Sequence, residues 1–131
     1  MGGNGKSAKI FLLAGEPSGD VIGARLMQAL RNQQEQGQQI QFCGIGGSRM
    51  KAQGLDSLFP MEELSLMGFT EVLPHIPKLL KRLSQTRREI VRQQPDMALT
   101  IDSPGFSLRL QERLDGLGLK RVHYVAPQVW A

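Results

Sequence analysis

The chain has 131 residues, 40% of them hydrophobic and 21% charged, and a formal net charge of +4; this suits one domain with a modest core and excludes a disordered or fibrous chain. A single cysteine, Cys43, rules out a disulfide framework, no Cys/His spacing offers a zinc motif, and a reducing cytoplasm is the expected setting. No apolar run approaches the roughly 20 residues that span a bilayer, and Met1–Ala8 is too polar for a signal-peptide core, so neither secretion nor membrane crossing is expected.

In chain order, the Gly-rich residues 1–8 read as a flexible extension or cloning remnant ahead of a domain over 9–131. Gly5-Lys6-Ser7 imitates the end of a phosphate-binding loop, but the required earlier Gly and preceding strand are missing. Lys9–Gly15 reads as a buried strand. Ser18 can cap a helix from about Gly19 to Arg31, with Val21, Ile22, Leu26, Met27 and Leu30 on its apolar face. After a polar loop, Gln39–Ile45 is a second strand, leading through Gly46 and Gly47 into a short helix around Arg49–Gln53 that Gly54 stops. Leu55–Phe59 reads as a short strand and Glu62–Met67 as a short helix. Pro74 and Pro77 bracket a turn before an amphipathic helix, Lys78–Gln93, which ends at Pro95. Met97–Ile101 is a strand, Phe106–Leu114 a helix closed by Gly116 and Gly118, and Arg121–Val125 a last strand. Strands alternating with helices predict an α/β fold with a parallel sheet and helices on both faces.

Chemistry concentrates where apolar runs stop. In an open parallel sheet the strand carboxyl ends face a crevice, and the first and third long apolar runs end there on acids. Glu16 and Asp20 follow the first. They can serve the helix macrodipole, or the turn can present backbone N–H groups and a carboxylate to a polar ligand. Both can hold together, with Asp20 structural and Glu16 facing the site. Asp102 ends the third run before Ser103-Pro104-Gly105; it lies early for a helix cap, which favours a general base drawing a proton from a sugar hydroxyl. Gly44-Ile45-Gly46-Gly47-Ser48-Arg49 lacks the last Gly of a dinucleotide fingerprint, which disfavours an oxidoreductase. It reads as a tight turn, or as a loop touching an anion with the help of Arg49. His123 and His75 read as structural and loop residues. Leu66–Leu83 is dense in apolar residues interleaved with bases from Lys78 onward. It is either a core-facing helix with a solvated side or an interfacial patch, and the apolar density on both sides of the prolines favours the patch. The basic cluster Lys78, Lys81, Arg82, Arg87, Arg88 and Arg92 can meet a phosphate, an anionic membrane or nucleic acid.

Five blocks in order, GEPSGD (Gly15–Asp20), GIGGSRM (Gly44–Met50), MEELSLMGFTEVLP (Met61–Pro74), TIDSP (Thr100–Pro104) and VHYVAPQVWA (Val122–Ala131), strongly resemble the lipid-A-disaccharide synthase family. The resemblance runs from about Lys9 to the last residue. It implies the Rossmann-like amino-terminal, acceptor-side half of a GT-B glycosyltransferase, a peripheral protein on the cytoplasmic face of the Gram-negative inner membrane. The implied reaction is inverting transfer from UDP-2,3-diacylglucosamine to 2,3-diacylglucosamine 1-phosphate (lipid X), forming a β-1,6-linked disaccharide and UDP. No metal or redox cofactor and no nucleic acid partner are implied. By the same resemblance Asp102 is the candidate base. Glu16, Ser18, Gly19, Asp20, Gly46, Gly47 and Arg49 are candidate substrate contacts, with loop support as the other role of the two acids. Phe69, Val72, Leu73, Ile76, Leu79 and Leu80 are candidates to meet acyl chains or an anionic membrane surface. The family commonly carries DFN where this chain has Gly105-Phe106-Ser107. Without the second domain, or a complementary chain supplying it, the 131 residues are expected not to turn over. The alternative is a standalone binding module for acceptor or membrane.

Overall fold

The computed structural model describes residues 7–35, 37–69 and 73–126, except for the side chain of Phe69. Its elements are β1 (Ser7–Ala14), α1 (Pro17–Asn32), β2 (Gln39–Ile45), α2 (Ser48–Ala52), α3 (Glu62–Phe69), a 3₁₀ turn (Leu73–His75), α4 (Ile76–Gln93), β3 (Met97–Ile101), α5 (Pro104–Arg113) and β4 (Lys120–Tyr124). The strands form one sheet in the order β2-β1-β3-β4, every pair parallel. β1 and β3 are central, so their runs Phe11–Ala14 and Ala98–Ile101 are buried on both faces and read as continuous apolar stretches.

The parallel pairings need crossover connections, and the helices in them are divided between the faces. α1 packs with α2 on one side and α4 with α5 on the other. Gly19 of α1 lies over Ala14 and Ile101, so by alternation Leu12 and Leu99 share that face, while Phe11, Leu13, Ala98 and Thr100 face α4 and α5. α4 buries Leu79, Leu83, Thr86 and Ile90, a single stripe at helical spacing. Gly44, in β2, has φ of 138°, and a Cβ there would strike the Leu12 carbonyl, which explains a glycine inside a strand.

Several expected boundaries move. Ser7 and Ala8 belong to β1, paired with Gln39 and Ile40, so the extension cannot include them; the rest of it lies outside the described residues. α1 begins at Pro17 with Glu16 at the N-cap, so Ser18 sits in the first turn and caps nothing. Proline suits the first turn because its missing N–H has no partner there, which also places Pro77 inside α4 and Pro104 at the start of α5. Of the face expected for α1 only Met27 is buried; the helix packs through Gly19, Asp20, Gly23 and Met27 instead. Leu55–Phe59 is no strand, since it meets the end of edge strand β2 through one bridge, Ser57 to Gly44. β4 starts one residue early, at Lys120.

Candidate active site at the strand carboxyl ends

All four parallel strands deliver their carboxyl ends to one side of the sheet. The chain turns one way from β1 to β2 and the other way from β3 to β4, so the switch point lies between β1 and β3, where open α/β sheets bind ligands. The loops at that point are Gly15–Glu16 and Asp102–Ser103, and they touch: a Cβ on Gly15 would collide with the Ser103 side chain. Glycine at 15 is what lets the two loops close on each other.

Asp102 leaves β3 with φ of 46° and Ser103 follows with φ of 45°. Two successive left-handed residues without glycine are uncommon, and such conformations persist where the surroundings hold them. Here the Asp102 N–H donates to the Tyr124 carbonyl at 2.8 Å, and the Ser107 hydroxyl donates to the Asp102 carbonyl at 2.7 Å. The half-buried carboxylate accepts the Ala126 N–H on Oδ1 at 3.0 Å. Among the described residues no donor is recorded for Oδ2, leaving that oxygen able to accept a proton. Asp102 is therefore no helix cap: Ser103 holds the N-cap position of α5.

Asp20 is used differently. Its side chain is 3% exposed, and its two oxygens accept the backbone N–H groups of Gly47 (2.9 Å), Arg49 (2.9 Å) and Met50 (3.0 Å). Asp20 thus caps the start of α2 from α1, which is the loop support expected as one of its two roles. The same geometry revises the glycine loop. The Gly47 N–H is taken by Asp20 and the Gly46 N–H by the Ser57 hydroxyl at 3.1 Å, so neither is left for an anion. Gly19 is buried against Ala14 and Ile101, at the carboxyl ends of the two central strands, where it serves packing. Ser18 is exposed in the first turn of α1, the Arg49 side chain is exposed, and Glu16 stands at the mouth between α1 and the crevice.

α3 forms the rim. The Ser65 hydroxyl donates to the Gly15 carbonyl at 2.7 Å, and Leu64 packs beside Gly15. Glu63 locks α3 to α4 through a two-point pair with Arg82, at 2.9 and 2.7 Å, and a longer one with Lys78 at 3.3 Å. Hydrogen bonding from Arg82 holds the Glu63 carboxyl below its ordinary value, against a smaller opposing effect of desolvation. The Arg82 guanidinium lies 4.7 Å from the Phe59 ring centre, and Phe59 meets Phe106 of α5 edge-on. Beside this rim Leu66, Leu73, Ile76 and Leu80 are exposed, at 63%, 76%, 38% and 48%. Leu79, expected with them, is in the core, because it belongs to the buried stripe of α4. Val72 and the Phe69 side chain lie outside the described residues.

The basic cluster is less available than its sequence suggests. Arg82 is paired with Glu63, Arg92 with Glu89, and Arg87 donates to the Arg113 carbonyl. Lys81 and Arg88, two helical turns apart, have no ion-pair partner among the described residues. A cavity of about 350 Å³ opens toward the amino ends of the strands at the outer edge of β2, lined in part by Lys9, Arg31, Phe42 and Cys43, and is remote from the crevice. Burial there pushes the Cys43 thiol up to about 11, which keeps it protonated at neutral pH. Among the described residues no group of three or more His, Cys, Asp and Glu could hold a metal.

Ser107, Ser65 and Ala126 were missing from the sequence-derived site. Ser107 did leave a signal, since with Leu110 and Leu114 it lies at the helical spacing of a buried stripe, where a hydroxyl needs a partner. Ser65 and the Ala126 backbone left none.

A family model described as lipid-A-disaccharide synthetase matches residues 10–131. The chain is 56% identical over 122 residues to a lipid-A-disaccharide synthase of Gluconobacter oxydans and 57% identical over 122 residues to one of Granulibacter bethesdensis. It is 49% identical over 123 residues to one of Pseudomonas paraeruginosa. These alignments cover 93%, 93% and 94% of the chain but only 29%, 30% and 32% of the relatives, so the chain spans about three tenths of their length.

Proposed function

Because the chain belongs to the lipid-A-disaccharide synthetase family, we propose that it builds one side of a glycosyltransferase site of lipid A biosynthesis, where a 2,3-diacylglucosamine unit passes from UDP to lipid X. The observation that carries this reading is Asp102 at the sheet's switch point, with one carboxylate oxygen tied to Ala126 and the other without a donor among the described residues. The acceptor hydroxyl oxygen attacks C1 of the donor sugar as Asp102 Oδ2 takes its proton. The bond from C1 to the UDP oxygen breaks on the opposite side, its electron pair leaves with UDP, and the configuration at C1 inverts. α1 and α5 both begin at this end of the sheet, so their positive dipole ends favour anionic groups brought there.

Both substrates carry acyl chains, and Leu66, Leu73, Ile76 and Leu80 offer an apolar surface beside the rim made by α3. In this reading that surface dips into the cytoplasmic leaflet of the inner membrane while Lys81 meets anionic headgroups. The chemistry also needs the donor held opposite Asp102 in one geometry. The test is a chimera in which residues 10–131 replace the matching segment of the Gluconobacter oxydans synthase. It is expected to release UDP only when both lipid substrates are present. A folded chimera that binds the acceptor yet releases no UDP would favour the binding-module alternative.

A further inference from the structure

We propose that Ser107 is a positioning residue that aims the Asp102 carboxylate, a reading that rests on Asp102 being the base. A serine inside a helix ordinarily returns its hydroxyl to the carbonyl four residues back. Here that carbonyl, on Ser103, already accepts the N–H groups of Phe106 and Ser107. The Ser107 hydroxyl reaches one residue further, out of α5, to the Asp102 carbonyl at 2.7 Å. Ser107 is fully buried, so this acceptor is what satisfies its hydroxyl away from water.

The acceptor it chooses is the first of the two left-handed residues. Two successive residues with a Cβ keep that conformation only where their surroundings hold it. The Asp102 N–H is pinned to Tyr124 and its carbonyl to Ser107, which fixes the peptide groups on both sides of its Cα. Gly15 leaves the room that the Ser103 side chain then occupies. With both peptide planes fixed, Cβ points across the ends of β3 and β4, and Oδ1 reaches the Ala126 N–H at 3.0 Å. Removing the Ser107 hydroxyl frees the carbonyl side of Asp102, and relaxation toward ordinary backbone angles swings the carboxylate away from Ala126. Ser107 touches neither reactant; it acts through Asp102.

The experiment uses the 131-residue chain labelled with ¹⁵N. The Ala126 amide, which donates to the Asp102 carboxylate, is expected to exchange slowly with solvent deuterium, and Asp102→Ala, which removes the acceptor, speeds that exchange about tenfold or more and so identifies its source. In Ser107→Ala the protection of the Ala126 amide falls by half or more while the Leu12 and Leu99 amides stay protected. Ser107→Thr, which keeps the hydroxyl, retains it. Ser107→Cys, of similar size with a weaker donor, gives an intermediate value and decides the matter if the alanine variant does not fold. In the chimera, Ser107→Ala lowers kcat on the order of tenfold with KM little changed. Parent-like Ala126 protection in the alanine or cysteine variant overturns the positioning role, as does equal loss in the threonine and alanine variants. Failure of the base assignment shows separately, as full turnover by an Asp102→Asn chimera.

Discussion

Asp20 and Asp102 both lie near the ends of apolar runs, and their oxygens show how differently they are used. Three backbone N–H groups saturate Asp20, whereas Asp102 spends one oxygen on Ala126. The difference was partly legible, because Asp20, Gly23 and Met27 share the buried stripe of α1 and a carboxylate on such a stripe must be satisfied from within. What the sequence could not show was the donor, 27 to 30 residues away at the start of α2. Asp20→Ala therefore leaves three buried or half-buried donors without a partner and is expected to lower stability by roughly 2 kcal/mol or more, measured by urea unfolding. Unchanged stability accompanied by lost acceptor affinity would return Asp20 to the substrate.

At the scale of elements, β1, β2 and β3 were legible to within two residues because each is an apolar run closed by Gly or Asp, and two of them are buried on both faces. α4 carried two readings, and the core-facing one describes its buried stripe. Its Leu79, Leu83 and Ile90 are buried, while Ile76 and Leu80 are exposed, as are Leu66 and Leu73 ahead of it. Periodicity alone could not divide them, because the division depends on Pro77 lying inside the helix, which sets where its first turn begins. The charge on α4 was overstated for a different reason: Glu63, on another helix, neutralises Arg82. A surface with modest charge and several exposed leucines should bind lipid chiefly through apolar contact. In vesicle sedimentation with phosphatidylglycerol, Leu73→Glu with Leu80→Glu is expected to weaken binding about tenfold or more, and added salt to weaken it less. Binding unchanged by the two substitutions would remove this surface from the account.

For the molecule as a whole, topology decides what sequence spacing leaves open. Glu16 and Asp102 are far apart in the chain, yet the order β2-β1-β3-β4 puts their loops side by side, sealed where Gly15 receives Ser103. The Gly-rich turn after β2 carried the more familiar pattern but lies off the switch point, and its N–H groups are consumed by Asp20 and Ser57. The same order explains why the tie between Asp102 and Ala126 was invisible in the sequence: it joins the ends of two strands that become neighbours only on folding. The central claim is that this crevice activates an acceptor hydroxyl through Asp102. Asp102→Asn tests it most directly, because the amide oxygen can still accept the Ala126 N–H while the group no longer takes a proton. In the chimera the account predicts a drop in kcat on the order of 10²–10⁴-fold with acceptor binding kept. A kcat within a few fold of the parent chimera would contradict it.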